Sequence, residues 1–232
     1  MSIQESMNLS DWSNLAGCMN DAGHFHIKSV VDETCCDELI MNYHDSALYR
    51  KTIIMERYRF GLGEYRYFNY PLPVIIEQLR QHIYPKLATV ANTWMKVLNI
   101  DRHFSETLNG LLAECHSHNQ LRPTPLILKY GEGGYNTLHQ DLYGEIFFPM
   151  QAVLFLDDAY EGGEFVLIEQ RPRAQSKAIV LKPAKGDILI FTTNFRPVKG
   201  SKGYYRVNMK HGVSEVRSGN RHTLGIIFHD AA

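Results

Sequence analysis

The sequence lacks any long apolar run. No stretch of about 18 apolar residues occurs in its 232 positions, so no transmembrane helix and no membrane partner are expected. The opening residues, MSIQESMNLSDWSNLAG, have no basic start followed by an apolar segment. They do not read as a secretory signal, and the cytoplasm is the expected compartment. Cysteine is scarce. Cys18, Cys35, Cys36 and Cys115 show no zinc-ligand spacing, so they are expected to be reduced and mostly buried, with Cys35–Cys36 as a helical pair. Internal repeats and low-complexity segments are absent as well. What remains is a chain of ordinary apolar content, long enough for one large domain with a sizeable core.

Net charge is also nearly absent, at −1, but its distribution is uneven. Between Arg171 and Arg221 there are 12 Lys/Arg against Asp187 and Glu215 alone, and the rest of the chain carries 23 acids against 12 bases. Such asymmetry marks either a polyanion-binding face or a solvated basic surface.

Two halves differ in pattern. Before about residue 123 the pattern is mainly helical. HFHIKSVV alternates like a strand, DETCCDELIMNYH has an acidic start and helical spacing, and HFSETLNGLLAECHSHNQ reads as another helix. PLPVIIEQLRQHIYPKLATVANTWMKVLNI is strongly helical, with Pro85 marking a break or kink. Residues 52–70 are rich in aromatics and arginine. From about residue 123, seven short runs are separated by Gly, Pro and Asp turns: TPLILKY, FPMQAVLFLD, GEFVLIEQ, KAIVLKP, GDILIFTT, YYRVNM and HTLGIIFHD. They predict a sandwich or barrel. With no linker between the halves, the expectation is one α+β domain over 1–232: mainly helical support and lid over 1–122, and strands over 123–232.

The residues LHQDLYGE follow a glycine-rich turn, KYGEGGYNT. His139 and Asp141 lie two apart, so on a strand both side chains share one face. One histidine and one carboxylate supply two legs of a facial triad for non-haem Fe(II). His211, in RVNMKHGVSEV, is the candidate third leg. Arg221, in SGNRHTLGIIF, would hold a dicarboxylate co-substrate, with Thr223 two residues on along the same face. His116 and His118 lack a third ligand at suitable spacing and read as surface residues. His222 and His229 read as packing or solvent residues.

KYGEGGYNTLHQD, FLDDAYEGGEFVLIE, KGDILIFTT, KHGVSEV and RHT follow, in order, a pattern similar to that of the Fe(II)/2-oxoglutarate-dependent dioxygenases, in a layout that resembles the prolyl hydroxylases. GEYRYFNYPLP, HQDLYGEIFFP, EQRPRAQS and RHTLGIIFHD resemble a bacterial subfamily described as acting on alkylated nucleic acid. The resemblance implies a double-stranded β-helix, or jelly roll, with N-terminal helices on one sheet. It implies Fe(II) on His139, Asp141 and His211, and 2-oxoglutarate on Arg221, Thr223, Tyr130 and Gln151. It also implies O₂ and 2-oxoglutarate as co-substrates, with succinate and CO₂ leaving as a C–H bond is hydroxylated. If the carbon is an N-methyl group, the product breaks down to formaldehyde.

The substrate side stays open. Tyr143, just after the metal motif, is the candidate nearest to substrate. Tyr65, Arg66, Tyr67 and Tyr70 either stack nucleobases or pack a lid. Arg171, Arg173 and Arg206 grip phosphates, grip a substrate carboxylate, or merely border the cavity. The AlkB-like dealkylases carry R-x-N-x-T-x-R on their final strand. RHTLGIIFHD has neither the asparagine nor the second arginine, which weakens the carry-over of their base pocket and leaves iron and 2-oxoglutarate binding untouched. Three functions follow: oxidative dealkylation of damaged nucleic-acid bases; hydroxylation of a free amino acid, peptide or protein side chain; and non-catalytic anion binding by a β-sandwich.

Overall fold

Alternating burial along the strands sets the layers. The computed structural model describes residues 3–142 and 144–232. Its strands are β1 (His24–Ile27), β2 (Tyr49–Ile54), β3 (Gly61–Leu62), β4 (Glu64–Phe68), β5 (Leu126–Tyr130), β6 (Tyr135–His139), β7 (Met150–Phe155), β8 (Tyr160–Gly162), β9 (Phe165–Gln170), β10 (Lys177–Leu181), β11 (Ile188–Thr192), β12 (Phe195–Gly200), β13 (Gly203–Val213), β14 (Val216–Gly219) and β15 (Arg221–Ile226). Seven form one sheet in the order β1-β11-β7-β15-β5-β4-β2, and a second sheet runs β10-β9-β13-β6-β3 with β12 on β13. All the pairings are antiparallel, and β8 and β14 form a separate ribbon.

On β7, Met150, Ala152 and Leu154 join the main core with the helices, while Val153 and Phe155 join a second cluster between the sheets. Ile188 and Ile190 against Leu189 and Phe191 repeat this on β11. A strand buried on both faces reads as a continuous apolar run, which is why these two stand out in the sequence.

The helices are α1 (Ile3–Leu9), α2 (Leu15–Ala22), α3 (Glu33–Asn42), α4 (Val74–Val97) and α5 (Leu108–Ser117). Asp32 caps α3 by accepting from the Cys35 amide, and Thr107 caps α5 by accepting from that of Gly110. On α4, Ile76, Leu79, Ile83, Leu87 and Trp94 recur at helical spacing and are all buried. The helix lies against β12 and β15.

Of the break or kink expected at Pro85, the break does not occur, and α4 runs continuously for 24 residues. Pro85 is exposed, so the carbonyl one turn back that loses its amide partner can be solvated instead. The first half, expected to be mainly helical with a strand in HFHIKSVV, carries that strand as β1 and further strands besides. It supplies an edge strand to each end of the larger sheet, β1 and β2, and β3 to the smaller one. The thiols of all four cysteines are free, with Cys36 and Cys115 buried. Among the described residues, no helix is long and apolar enough to cross a membrane.

Candidate metal and dicarboxylate site

His139 ends β6, and His211 lies directly opposite it on β13. The two rings stand 4.2 Å apart by centroid. Such an approach needs close backbones. A Cβ at Gly212 would meet the Asn136 carbonyl oxygen at 2.7 Å, so only glycine fits beside His211 here. A bulge between His211 and Val213 turns the strand at this point. Asp141 lies just past the end of β6, yet its carboxylate reaches both rings: Oδ1 is 3.4 Å from His139 Nε2 and Oδ2 is 3.4 Å from His211 Nε2.

The Thr137 carbonyl can only accept, so His139 Nδ1, 2.7 Å away, carries the proton and Nε2 is left facing Asp141. The His211 ring is held between Phe165 and Phe191, whose centroids lie 5.9 Å and 4.7 Å from it. Burial works to lower the pKa of His139, but the hydrogen bond and charge of Asp141 outweigh it and raise the value. Burial likewise works against the Asp141 carboxylate, but the two imidazoles hold it well below the usual range. His211 is lowered, by burial and then by the charge of His139. Three donor atoms, one from each residue, fall within 4.8 Å of one another. Two ligands at about 2.1 Å on adjacent octahedral positions stand about 3 Å apart, so this donor set fits a first-row divalent ion.

The site opens into a cavity of about 290 Å³ between the sheets. Arg221 starts β15 on the cavity wall and is only 1% exposed. Its guanidinium carbon lies 5.4 Å from the ring centroids of Tyr130 and Phe155. Its sole hydrogen bond among the described residues is a long one, 3.4 Å from Nη1 to Thr223 Oγ1, and Nε has no partner. No carboxylate among the described residues reaches it within ion-pair distance. A buried cation without a counter-ion is costly, so this one is poised for an anion. Beside it, the Tyr130 hydroxyl is pushed up to about 12 by burial, with Arg221 acting in the opposite direction. Gln151 is buried on the same wall with Nε2 unpartnered.

His139, Asp141, His211, Arg221, Thr223, Tyr130 and Gln151 therefore all line one cavity. Arg171, Arg173 and Arg206 do not. Arg171 binds the buried Glu169, which Arg196 also holds. Arg173 sits exposed in a turn with φ 61°, and Arg206 lies over Phe195 on the outside of β13. Tyr143 lies outside the described residues. Of the aromatic-basic segment, Tyr65 and Tyr67 line the cavity. Arg66 turns away to lie over the rings of Tyr43 and Tyr49, and Tyr70 donates to Asp230.

Several cavity residues escaped sequence reasoning. Gln140, between His139 and Asp141, donates from Nε2 to the carbonyls of Asn194 and Met209 at 2.8 and 2.9 Å. Asn136 donates to the Tyr130 hydroxyl, and Phe60 stands at the rim. Outside the cavity lining, the buried Tyr160 ring stands near the Arg221 guanidinium. The HxD motif itself was the signal for Gln140; Asn136 and Phe60 had none.

Residues 63–231 match the Oxygenase-NA family, described as "Oxygenase, catalysing oxidative methylation of damaged DNA". The chain belongs to that family. It is an enzyme, an oxidoreductase, and the reading as a non-catalytic binding protein falls. Uncharacterized proteins from two strains of Mycobacterium tuberculosis are 47% identical over 168 residues, covering 71% of this chain and 72% of theirs. Among solved structures, a Pseudomonas putida prolyl-4-hydroxylase aligns with TM-score 0.57 at 12% identity, over 94% of this chain and 97% of its own. A 2OG-Fe(II) family oxidoreductase from Burkholderia pseudomallei aligns with TM-score 0.53 at 13% identity, over 100% and 94%. The fold is thus the mixed α/β, largely antiparallel fold of these oxygenases.

Proposed function

We propose that this chain is an Fe(II)- and 2-oxoglutarate-dependent dioxygenase that hydroxylates an alkyl group on a damaged nucleic-acid base. In this reading residues 1–232 form a single domain and the two facing sheets form a double-stranded β-helix. The observation that carries the reading is the pairing, in one cavity, of a His-Asp-His cluster with a buried arginine that has no counter-ion.

His139, Asp141 and His211 would hold Fe(II). The chemistry the bound pair supplies is oxidative decarboxylation of 2-oxoglutarate to succinate and CO₂, coupled to insertion of one oxygen atom of O₂ into a C–H bond. Arg221 takes the distal carboxylate of 2-oxoglutarate with its planar fork, and Thr223 and Tyr130 add hydroxyl donors. Gln151 offers its unpaired amide to the same ligand. Phe60, Tyr65 and Tyr67 make the substrate side aromatic and exclude water. Hydroxylation of an N-methyl carbon makes it leave as formaldehyde, so this chemistry removes a methyl group rather than adding one. The family description supports a damaged-DNA substrate. The prolyl hydroxylases of similar fold support the second reading, a peptide or amino-acid substrate.

The test is Arg221→Ala. Loss of a buried, charge-assisted partner costs on the order of 2–5 kcal/mol, so the 2-oxoglutarate requirement, read by succinate release and by direct titration, rises by about thirtyfold or more. Arg221→Lys restores it in part, since it keeps the charge without the fork. An unchanged 2-oxoglutarate affinity in Arg221→Ala sinks the assignment. Formaldehyde release from methylated but not plain single-stranded oligonucleotide, in step with succinate, supports the base substrate. Hydroxylation of a free amino acid or peptide instead shifts the function to the second reading.

A further inference from the structure

Beside the cavity mouth the chain exposes aromatic rings where burial would be the default. Met55–Tyr58 forms a tight 3-10 turn, and the chain then returns along β3. Met55 is fully buried, in a cluster with Tyr130, Tyr160 and Val216. Its amide donates to the Gly63 carbonyl at 2.9 Å, and the Phe60 amide donates to the Met55 carbonyl at 3.1 Å. Between these anchors, Tyr58 is 52% and Phe60 43% exposed. Their rings stack on one another, centroids 5.5 Å apart and planes at 20°.

The turn alternates charge with aromatic surface: Arg57, Tyr58, Arg59, Phe60. Both arginines are exposed, and among the described residues neither guanidinium has a hydrogen-bond or ion-pair partner. Arg59 adopts φ 59°, a conformation in which few non-glycine residues rest. On the paired strands β3 and β6, Leu62, Tyr135 and Leu138 are exposed as well.

This turn is fastened to the candidate metal site. The Phe60 carbonyl accepts from the Thr137 amide at 2.8 Å and from Thr137 Oγ1 at 2.9 Å. The carbonyl of Thr137 in turn holds His139 Nδ1. Two strand residues advance about 6.6 Å, so the platform keeps a fixed, short offset from the first candidate ligand. Phe60 also lines the cavity wall, so a ring stacked on it borders whatever enters.

We propose that Arg57–Phe60 is a stacking platform for an unpaired nucleotide next to the one that enters the cavity, with Arg57 and Arg59 on its phosphates. The proposal rests on the nucleic-acid reading above. Charge complementarity selects the occupant: two unpaired guanidiniums flanking two exposed rings match a polyanion that carries flat bases. Stacking tolerates any base, so the platform gives affinity and register, while the cavity selects the damaged base.

The test uses full-length protein, anaerobic with Fe(II) and 2-oxoglutarate, and a fluorescein-labelled single-stranded oligodeoxynucleotide with one N-methylated adenine. Binding is read by anisotropy across a salt series. A second oligonucleotide carries 2-aminopurine beside the methylated base and reports stacking by quenching. Tyr58→Leu and Phe60→Leu keep apolar bulk and remove the ring face. Each is expected to weaken binding roughly ten- to hundredfold and to relieve the quenching, whereas Tyr58→Phe and Phe60→Tyr stay near wild type. Arg57→Gln and Arg59→Gln are expected to flatten the salt dependence. Both rings are half exposed, and thermal melting close to wild type checks that the leucine variants are folded.

If wild type binds and the leucine variants bind and quench equally well, the platform is overturned and the nucleic-acid reading stands. If wild type binds no oligonucleotide, both fall. Hydroxylation of a peptide by that same protein, impaired by the leucine substitutions, would make the turn a peptide-docking surface instead.

Discussion

At the scale of single residues, the seat of Arg221 depends on a neighbour with no side chain. Gly163 has φ 61°, and a Cβ there would stand 2.9 Å from Arg221 Cδ and 3.0 Å from a Val216 methyl. Neither neighbour can retreat easily, since Arg221 is packed against three rings and Val216 is fully buried. Gly163→Ala is therefore expected to displace the guanidinium while leaving its charge in place. The affinity for 2-oxoglutarate should fall about tenfold, and stability by about 1–3 kcal/mol from left-handed strain and crowding. Titration of 2-oxoglutarate beside a thermal melt checks this, and unchanged affinity would refute the link between Gly163 and the arginine. At this scale much was legible in the sequence. His139, Asp141, His211, Arg221 and Thr223, which the fold brings to one cavity, stood out because a facial triad with a carboxylate partner would restrict the residue types and their spacing. Tyr160 did not, because one tyrosine before a Gly-Gly turn says nothing of where its hydroxyl ends up.

At the scale of elements, legibility follows burial. The seven strand runs read from the sequence all carry strands, because their apolar residues face a core on at least one side. The strand that carries His139 was not among those runs. Tyr135–His139 is at most half-buried along its length, and its cavity-facing side chains are polar, so no apolar alternation marks it. Lys177–Leu181 was legible through its β-branched residues even though it is largely exposed. Phe195–Gly200 was hidden by Pro197, which is tolerated because the strand pairs on one side only. The basic run was misleading as a single surface. Lys182 donates to the Tyr160 carbonyl, Lys185 pairs with Asp37, and Arg196 is buried on Glu169, so only part of it faces solvent as a free charge. The element-level prediction concerns Gln140. Its amide ties the end of β6 to the Met209 carbonyl on β13 and to the Asn194 turn, so it fixes the distance between the two histidine-bearing strands. Gln140→Leu keeps the bulk and removes both bonds. Outer-shell losses of this kind weaken metal binding by about ten- to hundredfold. Anaerobic Fe(II) or Co(II) titration reads the change without turnover, and wild-type metal affinity in the variant would show that Gln140 is only packing.

At the scale of the whole molecule, the end of the chain closes the helical layer onto the larger sheet. Arg80 of α4 donates to the Phe228 carbonyl at 2.7 Å, Gln120 donates to those of Ile146 and Asp230, and residues 122 and 231 exchange backbone hydrogen bonds. His229 is fully buried within this closure. Its Nδ1 accepts from the Phe148 amide at 3.1 Å, so the ring is neutral with its proton on Nε2, which has no partner. Burial, with the nearby charge of Arg80, lowers its pKa to about 4, although Asp141 acts the other way. In the unfolded chain the same histidine titrates near 6.5. Between these values the unfolded state binds the extra proton, so stability is whole above about pH 6.5 and falls as the pH drops toward 4. The loss from this residue alone is about 3 kcal/mol. His24 and His211, also lowered by burial, add in the same direction, whereas His139, which is raised, opposes it. A variant is therefore needed to isolate the effect. In His229→Asn the side-chain oxygen can still accept from the Phe148 amide, and nothing there titrates. Urea unfolding from pH 7 to pH 4 should give a shallower decline in the variant than in wild type, even if its stability at pH 7 is lower. Parallel declines would mean that the closure does not sense acid through His229.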